Sequence, residues 1–530
     1  MRKARKQRVS ASYSIPAPVG GIDDSTPVAN MGTEFAIGML NWYPEGSALR
    51  VREGYREQAT LLAKPAETLM AYRALNPVNN KLFAVTDDGV YDITTPGASP
   101  TLVKALTNGR VQWTQFGNIA GNWLIGCNGT DPAFLYNGTT WTDFVADVSP
   151  TLPGEIDGLD PTTIVSVVHH KNRIWFTVKN SLTAYYMPLN AVAGVATAFP
   201  LGGIAQSGGY LNAAFTWTMD AGYSVDDMLV FQTSVGEVLT YSGTDPAEAT
   251  TWFLNSRYFS GAPMSRRSHA SLNGDMLLMT EFGLVSMAKL VAGQQSAGAK
   301  EMTTSFRISS ALNQLIRART GSDGWEVVYS PSLQYLVLTV PAFSGDTPVQ
   351  YVMNPVTGAW TTFDLPAVTF LEFDGFLYFS DSDGRVLRHG DVELDDVKLD
   401  GTGGQQVKAG FKQAYDYMGT PGVYKSFKLI KPVFEAQISP SYRVTISTDF
   451  SPLSFGDLNT PSSADIPANV GIWDVSYWGE AEWSPPLLAY QEWIGLAAIG
   501  YCASVVVSVQ VSARTRYVAS NIAFESGISL

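Results

Sequence analysis

Short apolar runs separated by tight turns dominate the chain between about residues 70 and 390. In the clearest example, an apolar run at residues 81–86 is followed by Asp-Asp-Gly at residues 87–89 and by a second run at residues 90–93. Runs of this length that are rich in β-branched and aromatic residues and bounded by Gly, Asn or Asp are typical of β-strands. This part of the chain is therefore predicted to form successive β-hairpins.

Seven runs of this kind recur along the chain. Their central apolar residues are Leu82, Trp123, Trp175, Leu229, Leu277, Leu336 and Leu377. The steps between these residues are about 41–59 residues, close to the ~40–50 residues of a propeller blade. We therefore expect an all-β fold with a six- or seven-bladed β-propeller over residues 61–390. Helical 3,4 spacing is clearest in one short stretch, residues 309–319.

The regions on either side of the predicted propeller differ from it in pattern. Residues 391–410 are acidic and then Gly-rich, which predicts a hydrated linker. Residues 411–530 contain alternating runs and predict a β-sandwich-like C-terminal domain. Residues 1–60 predict an extended N-terminal arm, and its aromatic segment at residues 41–44 is expected to complete the first or last blade.

One nearly uncharged stretch, residues 493–511, has about the length of a membrane span. Its second half is β-branched, and Gly495 and Gly500 interrupt its first half. Both features favour buried strands over a helix. No stable membrane insertion is therefore expected.

The composition is acidic, with 48 Asp and Glu against 35 Lys and Arg and a net charge of −13. A body of this charge repels nucleic acid, so specific DNA binding is not expected. The N-terminus is the exception, because its basic residues are Arg2, Lys3, Arg5, Lys6 and Arg8. They form either a disordered tip or an arm held by an acidic neighbour. No apolar segment of a signal peptide follows them.

Residues that carry chemistry are few and scattered. The histidines are at positions 169, 170, 269 and 389, and the cysteines at 127 and 502, without metal-ligand spacing. Adjacent residues of a strand point to opposite faces, so His169 and His170 cannot readily share one metal. No phosphate-binding loop or nucleophile elbow is present. No catalytic, cofactor or metal site is expected, and the chain is predicted not to be an enzyme.

Several segments resemble one family of phage structural proteins. They are residues 15–22 (IPAPVGGI), 40–45 (LNWYPE), 49–55 (LRVREGY), 236–246 (GEVLTYSGTDP) and 263–268 (PMSRRS), with Trp252 and residues 274–277 (GDML). Across residues 15–390 the chain is similar to the packaged-DNA stabilisation and tail-nozzle proteins of short-tailed phages (podoviruses).

This resemblance implies a structural virion protein. The nozzle forms the distal ring of the tail tube, retains packaged DNA and becomes its exit channel during ejection. The implied partners are five further copies in a homohexamer, tail adaptor or hub proteins, tail fibres or spikes, and double-stranded DNA that passes without sequence-specific contact. The implied location is the virion tail, after synthesis in the host cytoplasm, and no cofactor is implied.

Five arginines are candidates for contacts between subunits, because guanidinium forks suit the many carboxylates of an acidic neighbour. They are Arg50, Arg52, Arg56, Arg266 and Arg267. Trp42 and Tyr43 lie in the N-terminal segment that is expected to help complete the ring. Pairing of the same arginines within one subunit is an equally open alternative.

Other functions stay open at this point. The structural alternatives are a neighbouring tail hub or adaptor ring and a receptor-binding tail component. A propeller lectin would use residues such as Trp123, Trp175 and Trp360 to line sugar pockets, and burial of all three indoles would argue against it. A glycosidase would require two carboxylates about 5–10 Å apart in a cleft.

Overall fold

The structure, a computed structural model, describes residues 10–220, 225–293, 303–343, 346, 348–460 and 487–527. Its N-terminal segment consists of five short strands. They are β1 (Ser10–Pro16), β2 (Ala36–Leu40), β3 (Trp42–Glu45), β4 (Ala48–Val51) and β5 (Tyr55–Ala59).

Four antiparallel units of four strands follow. Their strands, with three short strands from the connections, are β6 (Thr68–Tyr72), β7 (Lys81–Thr86), β8 (Gly89–Asp92) and β9 (Thr101–Ala105); β10 (Gln112–Asn118), β11 (Gly121–Cys127), β12 (Phe134–Tyr136) and β13 (Trp141–Asp143); β14 (Val145–Ala146) and β15 (Glu155–Asp157); β16 (Ile164–His170), β17 (Arg173–Val178), β18 (Thr183–Tyr186), β19 (Gly194–Val195) and β20 (Thr197–Pro200); and β21 (Leu211–Asp220), β22 (Val225–Thr233), β23 (Glu237–Gly243) and β24 (Trp252–Phe259). The connection strands β14, β15 and β19 form a small parallel sheet of their own.

Three further units complete the series. Their elements are β25 (His269–Leu272), β26 (Asp275–Thr280) and β27 (Gly283–Ser286), followed by helices α1 (Met287–Val291) and α2 (Ser309–Ala318); β28 (Glu326–Ser330), β29 (Tyr335–Thr339), β30 (Gln350–Met353) and β31 (Trp360–Phe363); and β32 (Thr369–Phe373), β33 (Phe376–Ser380) and β34 (Val386–His389). Helix α2 matches the helix predicted from the apolar spacing of residues 309–319.

The seven units form a closed ring. The first strand of each unit contacts the neighbouring unit, and β32 of the last unit contacts β6 of the first. Within the described residues, hydrophobic clusters fill the seven junctions between neighbouring units. This arrangement confirms the predicted β-propeller, because the apolar runs of successive hairpins face each other across every junction.

An N-terminal strand closes the ring. Strand β5 pairs antiparallel with β34 and becomes the fourth strand of the last unit. An N-terminal strand is thereby paired with the last hairpin of the propeller, so the last unit also has four strands. The sequence analysis expected residues 41–44 to complete a blade, and this was wrong in position, since the closing strand is β5.

The C-terminal part is a sandwich of two sheets. The strands that follow β34 in the chain are β35 (Asp395–Val397), β36 (Gly403–Gln405), β37 (Val407–Gln413), β38 (Lys425–Ala436), β39 (Ser441–Thr448), β40 (Leu488–Gln491), β41 (Ile494–Gly500), β42 (Ala503–Val511) and β43 (Thr515–Ser526). Of these, β35 and β36 extend the sheet of the last propeller unit beside β5, so part of the predicted linker is ordered strand. The stretch at residues 493–511 forms strands β41 and β42, as predicted, but only β42 is largely buried, and side chains of β41 alternate between partly buried and exposed. Among the described residues, no helix is long and apolar enough to cross a membrane.

The N-terminal segment joins the propeller to the sandwich. Strand β2 pairs with β31 of the propeller on one side and with β37 on the other, so one sheet of eight strands runs through both parts. Strands β1 and β4 both pair with β43 in the second sheet of the sandwich. Gly21 lies at the crossing with φ +76°, and a Cβ there would be 2.4 Å from the Trp360 carbonyl oxygen. Only glycine fits this close approach without strain.

Candidate functional site

Arg50 lies at the junction between the propeller and the sandwich. Its side chain is 8% exposed, and its Nε donates to Glu45 Oε1 at 2.6 Å. A second ion pair joins it to Glu53, and its Nη2 donates to the Tyr335 hydroxyl at 3.1 Å. The Tyr335 hydroxyl donates in turn to Glu53 at 2.8 Å. Burial, reinforced by the Glu53 charge, raises the pKa of Tyr335 well above its usual value. Tyr335 therefore acts here as a neutral hydrogen-bonding group.

Arg52 is the most deeply buried of the predicted arginines, with a side chain that is 2% exposed. Its two Nη atoms donate to the two carboxylate oxygens of Asp395 at 2.6 and 2.8 Å. Nη2 also donates to Asp364 at 3.1 Å, and Nε donates to the Asn41 side-chain oxygen at 2.9 Å. Arg52 directly follows β4, Asp364 follows β31 and Asp395 begins β35. This one guanidinium therefore ties the end of the sandwich strand β4 to two propeller units.

Arg56 is on β5 and is more open. Its Nε forms an ion pair of 2.8 Å with Asp391. Burial raises the pKa of Asp391 to about 6, against the opposing effect of the Arg56 charge. Nearby, burial and the Glu53 charge raise the pKa of Glu393 to about 7. His389, which ends β34, is fully buried, and burial together with Arg52 and Arg50 lowers its pKa to about 3.

Trp42 and Tyr43 are packing residues. The Trp42 ring is fully buried in the sandwich, with its centroid 6.0 Å from that of Phe411 and 6.4 Å from that of Tyr517. The Tyr43 ring packs on Tyr335 at 4.6 Å, and its hydroxyl donates to the Gln334 carbonyl oxygen at 2.5 Å. Burial raises the pKa of Tyr43.

These contacts correct the subunit-interface prediction for four residues, Trp42, Tyr43, Arg50 and Arg52. All four are buried inside a single chain and are engaged there, so they offer no surface to a neighbour. For the two arginines, the alternative of pairing within one subunit is what the structure has. Their carboxylate partners lie far away in sequence, which is why charge pattern alone left the question open.

Arg266 and Arg267 line a cavity at one end of the propeller axis. The loops and strand starts that precede the innermost strands of the propeller meet there, and we call this cavity the axial mouth. Its charged residues are Glu67, Arg110, Arg266, Arg267, Asp323 and Glu326. Because the innermost strands of a propeller run in the same direction along the axis, their first residues gather at one end. Glu67, Arg110 and Asp323 were not singled out by the sequence analysis, since nothing in their local pattern marks them.

Two of the three arginines at the axial mouth are paired. Arg110 forms ion pairs of 3.2 Å with Glu67 and 3.6 Å with Asp323. Arg267 forms an ion pair of 3.3 Å with Glu326 and donates to the Glu67 carbonyl oxygen at 2.9 Å.

Arg266 differs, because within the described residues its buried Nε has no hydrogen-bond partner. Its charge acts to lower the pKa of the buried Cys127 thiol, although burial dominates and raises that pKa.

The other histidines sit in packed environments. The pKa of His170 is lowered to about 4, chiefly by burial, and its Nδ1 lies 3.2 Å from the Thr216 hydroxyl. The ring of His269 stacks on Phe215 at 4.7 Å, and burial lowers its pKa to about 4. Across the described ranges, no group of three or more His, Cys, Asp or Glu side chains could hold a metal ion.

The three tryptophans proposed for sugar pockets are all buried. Trp123 is 6% exposed, Trp175 1% and Trp360 0%. Trp175 stacks on Trp252 with a centroid distance of 5.6 Å, in the core between two blades. Burial of all three indoles argues against the lectin alternative. The basic residues Arg2, Lys3, Arg5, Lys6 and Arg8 lie outside the described residues.

No protein-family profile and no curated protein matches the chain. Similar solved structures include BBS1N in complex with ARL6DN, which is 10% identical with a TM-score of 0.40 and covers 64% of this chain and 98% of its own. YCF48 from Cyanidioschyzon merolae is 14% identical with a TM-score of 0.36, over 63% of this chain and 98% of its own. The Pan2 WD40 domain of Neurospora crassa is 9% identical with a TM-score of 0.36, over 62% and 89%. Likeness at this level gives no information about function.

Proposed function

We propose that this chain is a structural virion protein, the tail nozzle that forms the distal ring of a short-tailed phage tail tube. In this role it retains packaged DNA and forms the exit channel during ejection. The observation that carries the proposal is the resemblance of its sequence segments to the tail-nozzle family. The chain would work as a homohexamer attached to tail adaptor or hub proteins, with no catalytic step of its own.

The positions of the resembling segments support a structural role. Residues 15–22 contain Gly21, where the sandwich crosses the propeller, and residues 49–55 contain Arg50 and Arg52, which join both parts. Residues 263–268 lead into β25 at the axial mouth. The first two segments hold the propeller and the sandwich in one arrangement, which a ring that retains DNA under pressure requires.

The charge of the chain supports the DNA-channel role. Six copies at −13 each carry a formal charge of −78. A lumen of this sign repels phosphates at short range, while salt screens the effect beyond about 10 Å. Duplex DNA can then slide through without adhering to the wall.

The first test is the position and symmetry of the chain in purified virions, imaged by electron cryomicroscopy. We expect a six-fold ring at the distal end of the tail. A ring next to the portal would favour the hub alternative, and a fibre-tip position would favour the receptor-binding alternative. Either result would overturn the nozzle assignment.

The second test concerns the basic N-terminus. Deletion of residues 1–40 would remove β1 and β2 and so damage the fold, which makes point substitution the sharper design. One variant changes all five basic residues, Arg2, Lys3, Arg5, Lys6 and Arg8, to Gln. The matched control changes five exposed basic residues elsewhere to Gln, namely Lys179, Lys289, Arg317, Lys408 and Lys428.

We expect the N-terminal variant, and not the control, to join tails less efficiently and to leave virion DNA open to nuclease. Equal incorporation and equal DNA retention in both variants would show that the basic N-terminus has no part in assembly.

A further inference from the structure

The axial mouth contains one cation whose counter-charge is missing from the described structure. Arg110 and Arg267 both have carboxylate partners there, and each partner is engaged in turn. Glu326 also accepts hydrogen bonds from the Thr369 hydroxyl at 2.9 Å and from the Phe370 amide at 3.0 Å. Arg266 lines the same cavity, and in the described part of the chain it has no ion pair and no acceptor for its buried Nε.

Arg266 Nε therefore lacks a hydrogen-bond acceptor within the described residues. A buried N–H that has lost its water and gained no protein partner destabilises the structure, and the free-energy cost is larger for a charged group. The cavity lined by Arg266 has a volume of about 90 Å³. Since Nε is buried, a ligand in this cavity reaches it once the Arg266 side chain turns toward the cavity, which requires no rearrangement of the blades.

The charges around the cavity select the kind of ligand. A guanidinium offers two parallel N–H groups that match the two oxygens of a carboxylate or a phosphate. Three carboxylates, Glu67, Asp323 and Glu326, balance the charges of the three arginines of the mouth, so there is no excess positive charge to hold a second negative charge. This charge balance favours a monoanionic carboxylate over the dianion of inorganic phosphate, and the small volume excludes the backbone of a DNA duplex.

We propose that the axial mouth binds one carboxylate group, held by the Arg266 guanidinium and carried either by a small organic acid or by an acidic peptide. The site is separate from the propeller–sandwich junction, and the proposal does not depend on the chain being a tail protein. Arg110 and Arg267 keep the neighbouring carboxylates neutralised, so that the field of Arg266 remains available to the ligand.

The test is a titration of the full chain, labelled with 15N at arginine Nε, and followed by proton–nitrogen NMR. Because Arg266 Nε is buried, its N–H exchanges slowly and should give a sharp signal, which the Arg266→Gln variant assigns by its loss. We expect sodium acetate to shift this signal saturably, while sodium chloride at the same ionic strength does not. The control variant, Arg317→Gln, removes an exposed arginine outside the mouth and should leave the titration unchanged.

Affinity is then measured for each variant by calorimetry with acetate and with a capped tripeptide that contains one Glu. Arg266→Gln should weaken binding by about tenfold or more, the effect of losing a charge-assisted pair. Arg266→Lys keeps the charge but loses the two parallel N–H groups, so its affinity should lie between those of the wild type and Arg266→Gln. Thermal unfolding of both variants at the wild-type temperature would show that the fold is intact.

The two ligands distinguish the source of the carboxylate. Tighter binding of the tripeptide than of acetate supports the site and indicates a peptide, and equal binding supports the site and indicates a small acid. Three results would overturn the proposal. They are no saturable shift of the Arg266 signal, undiminished binding by Arg266→Gln, and tighter binding of inorganic phosphate or a short DNA duplex than of either carboxylate.

Discussion

Arg52 offers the sharpest test of how the two parts of the subunit are joined. Its guanidinium donates five hydrogen bonds, to both oxygens of Asp395, to Asp364, to Asn41 and to the Glu53 carbonyl oxygen. The Arg52→Ala substitution would leave the Asp395 carboxylate, which is only 16% exposed, without its ion-pair partner Arg52. Removal of one member of a buried ion pair costs about 3–5 kcal/mol, because the other charge stays buried without a partner.

The matched control is Arg56→Ala, which removes an arginine of the next strand whose side chain is 29% exposed. A partly exposed pair contributes about 1 kcal/mol or less. The two variants therefore differ in burial and not in residue type. The double variant Arg52→Ala with Asp395→Ala should recover part of the loss, because no orphan carboxylate remains.

The assay is urea unfolding of the purified chain, followed by tryptophan fluorescence and by circular dichroism. If the two probes do not coincide, hydrogen exchange of the β3, β4 and β5 amides gives the local free energy instead. A loss for Arg52→Ala no larger than that for Arg56→Ala would refute the reasoning, since Arg52 would then not be the tie between propeller and sandwich.

Three further outcomes are expected. Because the pKa of Glu393 is raised in the folded state to about 7, the folded chain holds a proton there that the unfolded chain has lost. The stability from this proton is present below about pH 4.5 and is lost as the pH rises through 7. The Glu393→Gln variant should thus melt at the wild-type temperature at pH 4 and above it at pH 8, and parallel melting curves across this range would contradict the assignment. Gly21→Ala should lower the free energy of unfolding by more than about 1 kcal/mol. Gly358→Ala, with a similar φ of +71° but no atom within 4 Å of the new Cβ, should lower it less. Equal losses for the two variants in urea unfolding would show that the contact with Trp360 has no effect. The Cys127 thiol should resist a thiol-specific reagent until urea unfolds the chain, because it is fully buried and its pKa is raised, and rapid modification in buffer would show that the core between its two blades opens.

The hairpins could be predicted from sequence because their signals are local. Residues 81–93 carry both strands and the turn of β7 and β8 within thirteen positions. The first observed strand, 81–86, matches the predicted one, and the second, 89–92, is shifted by one residue from the predicted 90–93. Repetition of this pattern at blade spacing is enough to predict a propeller.

The destinations of the N-terminal strands could not be predicted in the same way. The pattern around Trp42 indicates a buried strand, but its partners, Phe411 and Tyr517, lie hundreds of residues away. A period-2 pattern fixes which face is buried and says nothing about which sheet receives the strand. The blade-completing role was therefore assigned to residues 41–44 instead of β5.

The axial mouth shows the same limit at a finer scale. Arg266 and Arg267 are identical neighbours in sequence, yet only Arg267 reaches Glu326. That difference depends on where β28 starts in space relative to β25. No pattern of charges along the chain contains this information.

The pairing of β1 with β43 affects how the subunit is made. Ser10 pairs with Glu525, so β1 leaves the ribosome well before its partner, which lies more than 500 residues behind it. At a synthesis rate of about 5–20 residues per second, this interval lasts about 25–100 s. Throughout that time β1 and β4 lack β43, and a chain that stops before this strand never acquires it. Only a chain synthesised as far as β43 can complete the sandwich, so the fold itself discriminates against products that stop before this strand.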